Sequence, residues 1–255
     1  MINKVFSPVF TKYNPIKQLR DYEKAYMPAV CQTHFQANFG SGEINEEIRS
    51  EKQTWNKQYE GDWSMLPWAG EEPTNSEKKY IDRFLTGKNQ KILEYGCGTG
   101  KMASYLASQG HDVLAAEYSD VAVKKIKSTN PPFEIMEASA PSDIKDKNFD
   151  MITCIGVFHH QPPEVQEEFL KSFSQMITPD GQIIIMGWDD TDPEFVAMPK
   201  RISKQTKTRT WTINHLENVI PKYGLRIKNP PELINFTEIG WNADRILRCY
   251  VIERS

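Results

Sequence analysis

Residues 91–100 read Lys-Ile-Leu-Glu-Tyr-Gly-Cys-Gly-Thr-Gly, and a helix-forming stretch starts at Lys101. The first five residues, KILEY, have the apolar content of a short buried strand. The alternate glycines then make a turn that no side chain crowds, so a ligand can approach the backbone closely. Their spacing decides which ligand. A dinucleotide loop, G-x-G-x-x-G, needs glycine at position 101, where Lys101 stands. A P-loop needs glycine at 95 and Ser or Thr at 102, where Tyr95 and Met102 stand. The acid Glu94, two residues before Gly96, is unfavourable to phosphate and suits the cationic end of a ligand.

Downstream of this turn, strands and helices alternate. DVLAAE (112–117), FEIME (133–137), FDMITCIGV (149–157) and QIIIMGW (182–188) read as strands. Helices are expected over Lys101–Gln109, Asp120–Ser128 and Glu164–Ile177, the last with Leu170, Phe173 and Ile177 at helical spacing. Pro179-Asp180-Gly181 reads as a turn. A helix over 215–223 stops at Gly224, and Leu225–Ile227 and Arg245–Glu253 are expected to pair antiparallel at the sheet edge. The alternation predicts an α/β, doubly wound, mostly parallel sheet of seven strands with an antiparallel edge strand. Upstream, Thr74–Ser76 can cap a helix running to Leu85. Pro15–Tyr26 and Glu43–Tyr59 have helix-compatible composition. Residues 1–74 are therefore expected to form a helical, aromatic N-terminal cap, and residues 75–255 the ligand-binding domain.

The run Glu94-x-Gly96-x-Gly98-x-Gly100 resembles the first motif, E/D-x-G-x-G-x-G, of the class I S-adenosylmethionine-dependent methyltransferases. Glu117 ends the next strand, 21 residues after Gly96. The resemblance implies that it holds both ribose hydroxyls, which a carboxylate can do by accepting two hydrogen bonds. Glu137-Ala138 stands where the family often has Asp-Ala against the adenine amine and ring nitrogen; glutamate is one methylene longer. Asn148–Ile152 resembles the family's "FD-apolar-apolar" strand. Phe158-His159-His160 follows it, as in the ubiquinone-type branch. Leu170 to Gly181 resembles the "L…L-x-P-G-G" helix and turn, with Asp180 for the first glycine. The resemblance spans about residues 75–190 and implies a Rossmann-like fold with S-adenosylmethionine as cofactor. The residues implied to bind it are Glu94, Gly96, Cys97, Gly98, Gly100, Glu117, Tyr118, Glu137, Ala138 and Ile155. Upstream, Trp55-x3-Tyr59 and Pro67-Trp68 are similar to the "W-x3-Y…PW" lead-in of thiopurine- and tellurite-type relatives, a segment that folds over cofactor and substrate.

Methyl transfer is an in-line displacement on a sulfonium methyl, so positioning and water exclusion supply much of the catalysis. Aromatic faces hold a cation by about 0.5–2 kcal/mol. Tyr59, Trp63, Trp68 and Trp188 are the candidate substrate-binding residues. His160 and His159, after the fourth strand, are the candidate catalytic bases, because imidazole exchanges protons near neutral pH. The alternative for either is a brace for its loop. Asp189 and Asp190 either orient a substrate amine or cap the following helix. Cys97 and Cys154 read as packing.

Composition narrows the remaining choices. The chain has 255 residues, 39% hydrophobic and 25% charged, enough for one large core without disulfides or metal. The longest apolar run, Met151–Phe158, is far short of a membrane span, so no membrane partner is expected. Met1–Phe10 lacks the apolar core of a secretory leader, and the four scattered cysteines, 31, 97, 154 and 249, suggest reduced thiols. A cytoplasmic address is expected. No Cys/His cluster has zinc spacing, so no metal is expected. Net charge is −3, but residues 91–199 carry −9 and residues 200–255 carry +6. The acidic middle disfavours nucleic acid, and the cap could close a pocket, so a small-molecule acceptor is the main expectation. The basic run 199–209, five positive charges and no acid, keeps RNA or protein methylation as an alternative. A non-catalytic cofactor-binding subunit is the other.

Overall fold

A computed structural model describes residues 43–66, 72–197, 210–236 and 245–255. The chain divides into two units, Met1–Ser50 and Glu51–Ser255. Apart from the start of helix α1 (Glu43–Glu60), everything below lies in the second unit. After α1 come α2 (Asn75–Asp82), β1 (Lys91–Tyr95), α3 (Lys101–Ser108), β2 (Asp112–Glu117), α4 (Asp120–Lys127) and β3 (Glu134–Glu137). Then follow β4 (Phe149–Ile155), α5 (Pro163–Met176), β5 (Ile177–Trp188), α6 (Pro193–Ala197), α7 (Leu216–Val219), β6 (Leu225–Ile227), β7 (Glu232–Phe236) and β8 (Arg245–Arg254). The helix expected over Pro15–Tyr26 lies outside the described residues.

The strands form one sheet in the order β3-β2-β1-β4-β5-β8-β6, with β7 also paired to β8. The first five are parallel and the last three antiparallel to their partners. The doubly wound, mostly parallel architecture is therefore as the sequence predicts. Among the described residues the sheet has eight strands rather than seven, and Leu225–Ile227 pairs antiparallel with β8 at the sheet edge as expected. The far flank of β8 is shared: β7 pairs Phe236 with Arg245 through Glu232 with Cys249, and β6 pairs Leu225 with Arg254 through Ile227 with Ile252. The eighth strand, Glu232–Phe236, follows Asn229-Pro230-Pro231, a breaker that masks it in the sequence. The expected turn at Pro179–Gly181 falls inside β5. There Phe149 faces Ile177 but Met151 faces Gln182, so the intervening residues of β5 bulge out of the ladder.

Alternation along each strand sends neighbours to opposite faces. Leu93, Ile152 and Ile183 join Phe169, Leu170 and Phe173 of α5 in one core layer. Ile92, Met151 and Ile184 join Met102 and Leu106 of α3 and Val123 and Ile126 of α4 in the other. Helix α2 starts with a reciprocal cap. Thr74 Oγ1 accepts from the Glu77 amide at 3.1 Å, and Glu77 Oε2 accepts from the Thr74 amide at 2.6 Å. Asp150 of the FD pair accepts from the Lys91 amide at 2.9 Å, which ties β4 to the start of β1. The chain winds from β1 through β2 to β3 on one side and resumes with β4 on the other. The crevice between the carboxyl ends of β1 and β4 is thus the topological switch point, where ligands of such sheets bind.

Candidate functional site

The glycine turn folds back onto β2. The amides of Gly96 and Cys97 both donate to the Ala116 carbonyl, at 2.8 and 3.1 Å, and the Gly100 amide closes the turn on the Cys97 carbonyl at 2.9 Å. Gly100 then caps α3 from the left-handed region. Gly96 and Gly98 serve different needs. A Cβ on Gly96 would lie 2.1 Å from Val157 Cγ2, so its neighbour alone forbids a side chain. A Cβ on Gly98, at φ +58°, would meet only the Tyr59 hydroxyl, at 3.2 Å. Gly98 is therefore the least crowded of the three glycines in the turn, approached only by the Tyr59 hydroxyl of α1.

Two buried acids flank the turn. Glu117 Oε2 accepts from the Gly98 amide at 2.9 Å and Oε1 from the Ser119 amide at 3.0 Å. Burial raises its pKa, and these amides work against the rise. Each carboxylate oxygen has room for one more donor. Glu94 lies on the α3 face of β1, where the Ala103 amide donates to it. It thereby satisfies one of the orphan amides in the first turn of that helix. Its Oε2 is buried without a hydrogen-bond partner, and burial pushes its pKa up to about 8. The Cys97 thiol is buried and pushed up by desolvation, as befits a packing residue.

The remaining sequence-predicted cofactor residues line the same strand ends. Tyr118 follows Glu117 and is half-buried. The Ala138 amide donates to the Glu117 carbonyl at 2.9 Å, and Glu137 is the register partner of Glu117 across β2 and β3. Ile155, half-buried, ends β4. This constellation fits an adenosyl ligand on three counts. Gly98 puts no side chain in its way, Glu117 keeps acceptor capacity for two hydroxyls, and Glu94 holds an unsatisfied oxygen suited to a cationic group.

One face of α1 covers these ends with residues at helical spacing. Lys52 pairs with Glu137, and its ammonium lies 5.7 Å from the centre of the Tyr118 ring. Asn56 accepts from Ser119 Oγ at 2.6 Å and donates to Asp120 Oδ1 at 2.7 Å. The Trp55 ring meets His160 edge-on, centroids 4.9 Å apart. Tyr59 is buried beside Gly98. The sequence reading singles out Trp55 and Tyr59 but not Lys52 and Asn56. The positions 52, 55, 56 and 59 share one helical stripe, which was the signal for them.

His159 and His160 sit on a tight turn, Phe158–His160. The fully buried Gln166 of α5 clamps that turn, donating from Nε2 to the Phe158 carbonyl at 2.9 Å and the Gln161 carbonyl at 2.8 Å. His159 is buried between His160, at 4.2 Å, and Trp188, at 4.8 Å. His160 is the more exposed of the two. Trp188 is a wall behind His159, only 4% exposed, with the Arg245 guanidinium 3.6 Å from its ring centre. Arg245 pairs with Asp192 at 2.9 Å, both fully buried.

Three of the predicted acceptor-binding rings lie on one chain of ring contacts: Trp63 meets Tyr59 at 6.0 Å, Tyr59 meets Trp55 at 6.5 Å, and Trp55 leads through His160 and His159 to Trp188. Tyr59 stands at the glycine turn and Trp188 behind His159. Trp63 is drawn to α4, with Lys125 Nζ 4.7 Å over its ring. Trp68 lies outside the described residues, as does the basic run 199–209. Asp189 is engaged by the Thr191 amide at 2.8 Å, by Asn214 Nδ2 at 3.1 Å and by Arg248. These contacts occupy Asp189 within its own loop, and the helix it was expected to cap starts later, at Pro193. Among the described residues, no three metal-ligating side chains converge, and no helix is long and apolar enough to cross a membrane.

Comparison with known proteins shows the family. Residues 72–233 match a family model described as a methyltransferase domain. An uncharacterized methyltransferase of Staphylococcus carnosus is 26% identical over 166 residues, covering 65% of this chain and 77% of that one. A ubiquinone biosynthesis O-methyltransferase of Coxiella burnetii is 26% identical over 174 residues, covering 64% and 67%. The crystal structure of magnesium protoporphyrin IX methyltransferase from Synechocystis with bound SAH superposes with a TM-score of 0.54 at 15% identity, covering 94% of this chain and 100% of that one.

Proposed function

We propose that this chain, which belongs to the methyltransferase-domain family and takes S-adenosylmethionine as methyl donor, methylates a nucleophilic atom of a small molecule. The observation that carries the small-molecule reading is the cover. Lys52, Trp55, Asn56 and Tyr59 of α1 lie across the carboxyl ends of β1 to β4, a cover that suits a small acceptor better than a polymer. The ubiquinone and protoporphyrin relatives, both named for small acceptors, support it.

The bound cofactor supplies an electrophilic methyl group on a sulfonium, and its displacement leaves a neutral thioether. The chain's part is to place and to exclude. Glu117 takes the ribose hydroxyls on its spare lone pairs, Gly98 leaves room for the ligand against the backbone, and Glu94 receives the cationic end. Tyr118, Ala138 and Ile155 bound the base, with Glu137 accepting from its amine. His160, edge-on to Trp55, is the base that takes the acceptor's proton. His159 and Trp188 form the wall that holds it. A cytoplasmic address belongs to the same reading, with the unbridged, buried thiols of Cys97, Cys154 and Cys249 in support.

The test is a screen of small phenols, thiols, amines and acids for S-adenosylhomocysteine release, run beside RNA and bulk protein. Turnover of a small acceptor is expected. Turnover of RNA or protein alone would contradict the reading.

A further inference from the structure

Glu137 stands where the proposed adenine contact falls, yet its chain is a methylene longer than the aspartate that the resemblance implies there. It ends an edge strand and carries a 45% exposed side chain. A glutamate so placed would swing freely and hold no hydrogen-bond direction. Lys52 changes that. Its ammonium binds Glu137 Oε1 and at the same time lies over the Tyr118 ring. Lys52 is itself placed by α1, whose next turn is pinned through Asn56 to Ser119 and Asp120. The pairing uses one carboxylate oxygen and leaves Oε2 for another donor. Register sets the distance. Glu137 pairs with Glu117 on the adjacent strand, roughly 4.8 Å away, the step from a ribose held by Glu117 to its base.

We infer that Lys52 is a positioning residue for cofactor recognition: it fixes the Glu137 carboxylate against Tyr118 so that Oε2 accepts from the exocyclic amine of adenine. The inference rests on the proposed adenine contact of Glu137. Lys52 is 25% exposed, and a pair this open adds little to fold stability, so its removal leaves a folded protein.

The experiment compares binding of S-adenosylhomocysteine and of S-inosylhomocysteine, which carries a 6-oxo group in place of the amine. Wild type, Lys52→Met and Lys52→Arg are titrated with both. Wild type should prefer the amine by about tenfold, and Lys52→Met should weaken S-adenosylhomocysteine by about fivefold while leaving the inosyl compound unchanged. Lys52→Arg should restore the preference. A merely structural role for Lys52 would weaken both ligands alike and overturn the inference. So would a Lys52→Met variant that keeps the wild-type preference, or one that binds the amine more tightly because Lys52 competes for Glu137. A wild type without any preference would instead remove the adenine contact of Glu137, and the inference with it.

Discussion

His160 and Glu94 carry the most specific consequences at the scale of single residues. His160 is partly exposed, faces Trp55 and is carried on a turn that Gln166 holds at both ends. A base so placed is worth about 10²–10⁴ in rate. His160→Gln should therefore lower kcat by about a hundredfold or more. Affinity for S-adenosylhomocysteine should stay the same, as titration of the variant would verify. Equal kcat would return His160 to a bracing role. Glu94 makes a prediction about pH. Its carboxyl has an ordinary value of 4.5 and is pushed up to about 8 by burial. Between those values the folded protein binds more protons than the unfolded chain, so stability falls as pH rises through that window. The slope from one group is at most about 1.4 kcal/mol per pH unit. Glu94→Gln should lose this slope and gain on wild type between pH 5 and 8 in urea unfolding. Parallel curves would show that Glu94 ionises without cost.

Among the elements, α2 and the glycine turn show how far local sequence carries. Thr74 caps α2 as the sequence leads one to expect, and Glu77 adds a reciprocal bond that it does not single out; α2 stops at Asp82, short of Leu85. Thr74→Ala should cost about 1 kcal/mol. A thermal or urea midpoint unchanged within error would mean that the rest of the box suffices. The glycine turn was legible for a different reason: each of its glycines answers a constraint that no other residue meets as well. The sequence could not separate those constraints. Gly96 is demanded by Val157, 61 residues away in the chain, whereas Gly98 is approached only by the Tyr59 hydroxyl. Likewise α1 was legible as a helix, but the partners of Lys52 and Asn56 sit at positions 119, 120 and 137. No local pattern encodes such contacts. The strand Glu232–Phe236 was hidden for a related reason, since its pairing with β8 outweighs the Pro230-Pro231 signal beside it.

Over the whole molecule, alternation of strand and helix from Lys91 to Trp188 pointed to the parallel half of the sheet, because a helix between two strands carries the chain back to start a parallel neighbour. The antiparallel half was less legible, since three short strands can share a flank in several ways. The parallel half also places the chemistry. Glu94, Glu117 and Glu137 come from β1, β2 and β3, and His159 and His160 follow β4. All converge only because the sheet aligns their carboxyl ends. The central claim is that this convergence forms the cofactor site, with Glu117 at its centre. Calorimetric titration of S-adenosylhomocysteine into wild type and Glu117→Ala tests it most directly. The account predicts saturable binding by wild type and a loss of about 1–3 kcal/mol in the variant. Equal affinity in the two proteins, or no binding by folded wild type, would contradict it.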